Sequence, residues 1–209
     1  MALPGALAAR STGAAGCFGV LTNGAIALIT ASGKCPSCCI EFTQAWLITD
    51  VGFIDGGQNG ALRSYTDPAS VPASPWTILN NGLGLRLDFE DDNNCRSHNP
   101  NTQSATATAI ITVPVDTIMT VDWTGLGETQ APNFELMSLS VDGTLVGSAH
   151  APGGGQGCAP MGPVVSDPPP PQQVLLTAGA HTLTIDATTN DALYHFGAFY
   201  QFDLSFQAV

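Results

Sequence analysis

From Tyr194 to Phe206 an apolar or aromatic residue recurs at every second position: Tyr194, Phe196, Ala198, Tyr200, Phe202, Leu204 and Phe206. The residues between them, His195, Gly197, Phe199, Gln201, Asp203 and Ser205, are mostly small or polar. A period of two belongs to a strand with one buried and one wet face. Just upstream, Ala178-Gly179-Ala180-His181 leads into Leu183, Ile185 and Ala187, a second alternating strand. The pair predicts the closing strands of an antiparallel β-sandwich.

The rest of the chain repeats the pattern. Asn23-Gly24 lies between the apolar runs Cys17–Thr22 and Ala25–Thr30, and Asp142-Gly143 between Met137–Val141 and Thr144–His150. Both dipeptides favour the positive φ angles of two-residue hairpins. Trp46–Ile48, Val51–Ile54, Leu83–Phe89, Ala105–Val113, Ile118–Trp123 and Val174–Thr177 are further strand candidates. Residues 55–82 and 151–173 are expected to be loops, and Thr124–Glu128 a turn, on their Gly and Pro content. No apolar stripe of helical period persists for a full helix. The prediction is all-β: an antiparallel β-sandwich of jelly-roll type with an N-terminal extended arm and hairpin. Residues 1–44 are expected to form the Ala/Gly-rich arm, hairpin and Cys-rich loop, and residues 45–209 the sandwich domain.

Composition narrows function. Charged residues make up 11% of the 209 and hydrophobic ones 44%; the charged share is well under the ~25% of an average soluble domain. Five basic residues face seventeen acidic ones, for a net charge of −12. A nucleic-acid binder needs a basic footprint, which excludes nucleic acid as a partner, and an anionic membrane surface is disfavoured on the same grounds. No apolar run reaches the ~18 residues of a membrane span. The N-terminus lacks the positive n-region of a signal peptide, and Pro4 and Gly5 interrupt its apolar segment.

Three pieces carry a resemblance: Met119-Thr120-Val121-Asp122-Trp123-Thr124-Gly125, Leu139-Ser140-Val141-Asp142-Gly143-Thr144-Leu145-Val146, and Ala178-Gly179-Ala180-His181-Thr182-Leu183-Thr184-Ile185. Their order resembles carbohydrate-binding-module-type jelly rolls, over about residues 105–207. Sandwiches of this kind also decorate bacteriophage tail fibres, baseplates and capsids. The resemblance implies a binding or structural module rather than a catalyst, and matches no ligand-contacting residue to a position here.

Several groups bear chemistry. Cys35-x-x-Cys38 with Cys95-x-x-His98 supplies two pairs at zinc-ligand spacing. Disulfides compete for the same thiols: Cys95 with Cys158 if their loops share one end of the sandwich, and Cys17 with the Cys35–Cys39 loop, Cys39 included. Asp88, Glu90, Asp91 and Asp92 present hard oxygens suited to Ca²⁺. Trp76, His150, Tyr194 and His195 are candidate glycan contacts. Trp76, in a Pro-flanked loop, is expected to be exposed, whereas Trp123 alternates with Met119 and Val121 as core. Phe199 is expected to face outward. A glycosidase needs two facing carboxylates, and Asp122 with Glu128 qualify on acidity alone. No nucleophile elbow, zinc-protease or phosphate-loop motif occurs.

These features lead to an expected non-enzyme: a structural or adhesive component of a phage virion, contacting other virion proteins, copies of itself and host-surface glycan. The Met1 start, the arm and the low charge support it. A secreted carbohydrate-binding module and a polysaccharide-degrading enzyme are the alternatives.

Overall fold

The computed structural model describes residues 16–20, 26–30, 40–51, 62–71, 74–88, 103–128, 135–150, 152, 161–169, 172–189 and 199–209. Gly16–Val20 (β1) and Ile26–Thr30 (β2) pair antiparallel as a separate two-stranded sheet, but with Val20 opposite Ile26, a register one residue off that of the expected two-residue Asn23-Gly24 turn. The strands from Glu41 onward form two sheets. These strands are Glu41–Val51 (β3), Leu62–Tyr65 (β4), Trp76–Leu79 (β5), Gly84–Asp88 (β6), Gln103–Val113 (β7) and Thr117–Glu128 (β8). Then follow Glu135–Val141 (β9), Thr144–His150 (β10), Met161–Pro163 (β11), Val165–Asp167 (β12), Gln172–Leu176 (β13), Gly179–Thr189 (β14) and Phe199–Ala208 (β15). One sheet runs β12-β10-β9-β14-β7-β3-β4, the other β11-β8-β15-β6-β5, with β13 also on β8. The pairings are antiparallel. This is the all-β sandwich of jelly-roll character that the alternation predicts.

Inward positions build one core. Tyr200, Phe202, Leu204 and Phe206 of β15 are buried, with Leu85 and Leu87 of β6 and Met119 and Val121 of β8. Facing them are Trp46 and Ile48 of β3, Ala105, Ala107, Ala109 and Ile111 of β7, and Leu183, Ile185 and Ala187 of β14. Phe202 sits between two tryptophans. Trp46 and Trp123 each meet its ring edge-on, with centroids 5.7 Å apart. The Trp46 indole also donates to the Gly82 carbonyl, 2.9 Å away, so its one polar atom is satisfied inside the core.

Four expectations need correction. The closing pair is split: β14 belongs to the seven-stranded sheet and β15 to the six-stranded one, so each seals a different layer. The stretch 55–82 contains β4 and β5, strands of four residues that show too little alternation to be read. The stretch 151–173 contains β11, β12 and the start of β13, which pass from one sheet to the other and back. Thr124–Glu128 continues β8 and is no turn. Gly125 is there because a Cβ on it would lie 2.3 Å from the Phe199 carbonyl oxygen of β15.

The two ends of the sandwich differ. At one, tight turns join β7 to β8, β9 to β10 and β13 to β14. At the other, the register brings together Val51, Asp88, Glu128, His150 and Thr189 with Leu62, Gln103, Glu135, Met161 and Phe199. The chain between these strand ends therefore starts and finishes at a single end. Glu90, Asp91, Asp92, Cys95, His98, Cys158, Tyr194 and His195 fall in those segments, outside the described residues; Cys35, Cys38 and Cys39, between β2 and β3, also lie outside them. Of Cys17 only the strand it belongs to is described.

Candidate functional site

Strand alternation that turns Phe202, Leu85 and Trp123 inward turns their neighbours outward on the six-stranded sheet. The register aligns these outward residues in three rows. Leu126, Phe199 and Asp88 form the first; Thr124, Gln201 and Arg86 the second; Asp122, Asp203 and Gly84 the third. From strand spacing and rise, the patch spans roughly 13 by 10 Å.

Its side chains are tied to one another. Arg86 and Asp88, two apart on β6 and so on one face, form a forked ion pair: Nε lies 2.9 and 3.0 Å from the two carboxylate oxygens, and Nη2 donates to Oδ1 as well. The guanidinium carbon sits 3.9 Å from the centroid of the Phe199 ring, a cation–π contact that holds the ring in place. Asp203 accepts from Gln201 Nε2 at 2.8 Å and from Asn80 Nδ2. Gly84 makes room for this, since a Cβ there would lie 2.7 Å from Asp203 Oδ1. Asp122 is exposed opposite Asp203. Chemically the patch offers one aromatic ring, hydrogen-bond acceptors on carboxylates and amides, and a cation already engaged.

The outer face of the seven-stranded sheet is different in kind. Ser104, Thr106, Thr108 and Thr112 alternate along β7 and Thr184, Asp186 and Thr188 along β14. The hydroxyls bond within the sheet, Thr106 to Asp186 at 2.8 Å and Thr49 with Ser64 at 3.3 Å. Among the described residues no Phe, Tyr or Trp points from this face, so it lacks an aromatic platform, its outward apolar side chains being aliphatic, Leu47, Ile110 and Leu136 among them.

A third feature is a cleft of about 400 Å³ between β10 and β13, flanked by Leu145 and Leu175 and closed by Asp142, Thr177 and His181. Its polar groups are committed to a clasp across the tight-turn end. His181 Nδ1 lies 2.7 Å from Asp142 Oδ2, and Nε2 lies 2.7 Å from the Thr177 carbonyl. The Thr182 amide donates to Asp142 Oδ1 at 2.8 Å. Asp142 occupies the hairpin with φ +49°, next to Gly143 at +77°, which is why Asp-Gly stands there. Burial alone would lower the His181 pKa, but the Thr177 carbonyl and then Asp142 hold its proton and raise it above the ordinary 6.5. The Thr182 amide, then His181, lower Asp142 below 3.8.

These shifts set a pH window. His181 contributes stability fully below its unfolded value of 6.5, and the contribution is lost as pH rises through the raised folded value. Asp142 contributes above 3.8, and that is lost as pH falls through its lowered folded value. The melting temperature is therefore expected to fall from about pH 6 to about pH 9 more steeply in the native chain than in His181→Gln. Parallel profiles for the two proteins would contradict the clasp.

Among the residues singled out from sequence, Trp76 is corrected most sharply. It is 2% exposed and cannot present a stacking face to a ligand. Its indole donates to Asp50 Oδ2 at 3.3 Å, joining β5 to β3 beneath the end where the strands terminate. Tyr65 lies beside this buried carboxylate. Its hydroxyl meets no hydrogen-bonding geometry among the described residues. Burial pushes it up to about 12, with Ser74 alongside offsetting part and the Asp50 charge adding to the rise. Prolines beside Trp76 suggested a loop, yet they precede a short core strand. Trp123 packs on the core as expected and donates to Gln172 Oε1 at 2.6 Å. Gln172 in turn donates to the Pro168 carbonyl at 2.6 Å, which satisfies a buried amide.

His150 is half-buried at the last position of β10, at the end where the chain's longer connections begin. Of the acidic residues considered for calcium, Asp88 is engaged by Arg86. Asp122 and Glu128 lie on one strand six residues apart, roughly 20 Å by strand rise. Glycosidase carboxylates stand about 5 to 9.5 Å apart, so that pair is ruled out as an acid and base acting together. Phe199 faces outward as expected, whereas Arg86 and Asn80 were not singled out. A cation two residues before an aspartate on an alternating strand was the available signal for Arg86.

No family model and no curated protein matches the chain. Among solved structures it is similar to a Paenibacillus sp. cycloisomaltooligosaccharide glucanotransferase complexed with cycloisomaltoheptaose, at 16% identity and a TM-score of 0.24. The match covers 57% of this chain and 16% of that one. The expectations of a phage virion component and of a non-enzyme are withdrawn: the similarity found is to a glucanotransferase, and nothing in it supports the phage reading. A likeness this slight assigns neither that enzyme's reaction nor its ligand to this chain.

Proposed function

We propose that this chain is a carbohydrate-binding β-sandwich module, and that it holds a neutral glycan on the outer face of its six-stranded sheet. The observation that carries the reading is the row pattern on this sheet, where the fixed Phe199 ring shares one face with Gln201, Thr124, Asp203 and Asp122, and with Asn80 bonded to Asp203. A sugar ring presents apolar C–H faces and a rim of hydroxyls. Phe199 suits the first, and the carboxylates and amides accept from or donate to the second. The patch has room for a short stretch of oligosaccharide along the strands. Strands hold these groups in register without a loop to order on binding, which lowers the entropic cost. The acidic chain also favours uncharged partners over polyanions.

Affinity electrophoresis through gels containing neutral polysaccharides tests this. At least one polymer is expected to retard the native protein, and Phe199→Ala is expected to weaken that retention about tenfold, or ~1.4 kcal/mol. Equal retention of native and variant protein would remove the sheet face from consideration.

A further inference from the structure

We propose that Asp88 sets the charge specificity of this face, by filling the Arg86 fork that would otherwise grip a sugar carboxylate. The inference rests on the glycan-binding reading above. An arginine beside an aromatic ring is suited to acidic sugars, because its planar donors match a carboxylate or sulfate two bonds at a time. Here the fork is already occupied. Arg86 Nε reaches Asp88 Oδ1 and Oδ2 at 2.9 and 3.0 Å, while the guanidinium carbon sits 3.9 Å from the centroid of the Phe199 ring. Both partners lie on the solvent face, with side chains 35% and 44% exposed, so a ligand on the patch meets the pair directly.

The rest of the face reinforces the choice. Among the described residues Arg86 is its one cation, and Asp122 and Asp203, negative, stand opposite each other on β8 and β15. An acidic sugar would have to displace Asp88 from Arg86 and sit against two carboxylates. A neutral one loses neither contact. The site therefore takes neutral glycans and turns away uronic-acid and sulfated ones.

Replacing Asp88 by asparagine keeps the shape and frees the fork. Retention of native protein, Asp88→Asn, and Asp88→Asn combined with Arg86→Lys is measured on a neutral polysaccharide that binds the native protein, and on polygalacturonate. The native protein is expected to ignore polygalacturonate. Asp88→Asn gains binding to it of about tenfold or more, reversed by salt, and the double variant loses the gain because lysine lacks the fork. A native-like melting temperature of Asp88→Asn confirms that the variant is folded, with Asp88→Ser as a second substitution if it is not. Native binding to polygalacturonate equal to that on the neutral polymer would overturn the proposal. So would a folded Asp88→Asn that gains nothing. Failure of the native protein on every neutral polymer would instead overturn the glycan-binding reading itself.

Discussion

Replacing Phe202 by alanine is expected to destabilise the sandwich by about 4 kcal/mol, the upper range for removing a buried ring. The reason is its position. Phe202 is wholly buried and touches Trp46 from the seven-stranded sheet and Trp123 from its own, so one ring joins the two layers. Deleting it loses the transfer energy of the ring and two edge-to-face contacts, and leaves a cavity that two large indoles cannot collapse to fill. For a chain of this size the loss corresponds to a melting temperature lower by roughly 8 to 16 °C. Phe202→Leu should lose about half as much, since it keeps most of the volume. A melt within about 2 °C of the native one would show that this ring does not join the layers.

Gly125→Ala is the second large effect, and its cause is backbone rather than side chain. A Cβ at this position would stand 2.3 Å from the Phe199 carbonyl oxygen and 3.1 Å from Val164, on a residue with φ +157°. The obstructing atom belongs to the neighbouring strand, so relief requires β8 and β15 to separate. The expected cost is about 3 kcal/mol, from overpacking together with a dihedral that L residues rarely adopt. The same separation would displace Phe199, which pairs with Leu126 next along β8. Denaturant unfolding gives the stability change. Retention on the neutral polysaccharide should fall with it even at temperatures where the variant stays folded. A variant that unfolds at the native midpoint would contradict the close approach of the two strands.

The fold was legible wherever strands were long and wet on one face. The alternation of β6, β7, β14 and β15 named the inward residues Leu85, Leu87, Ala105, Leu183, Phe202 and Leu204 because burial on one side imposes a period of two. Strands of three or four residues, β4, β5, β11 and β12, do not complete enough periods to stand out from a Pro- and Gly-rich background. Gly125 misled for a different reason. A glycine needed for close approach of two backbones looks the same in sequence as one needed for a turn.

The candidate site was half legible. Phe199 and Gln201 follow from the strand's outward positions, and the Asp142–His181 clasp links two motifs that sequence supplied as separate fragments. What sequence could not supply is the sheet order. Arg86, Thr124 and Gln201 are distant in the chain and share a row only because β15 lies between β6 and β8. Trp76 went the other way: local prolines argued for exposure, and a long-range bond to Asp50 on another sheet buried it.

The central claim is that a neutral glycan lies across β6, β8 and β15. Amide chemical shifts followed during titration with a neutral oligosaccharide, chosen from the polymer that retards the protein, test it residue by residue. The expected result is a contiguous set of shifted amides at Arg86, Asp88, Asp122, Thr124, Phe199, Gln201 and Asp203, with the outer face of the seven-stranded sheet unmoved. Shifts confined to the Leu145–Leu175 cleft or to His150 and its neighbours, with those seven amides unchanged, would contradict it.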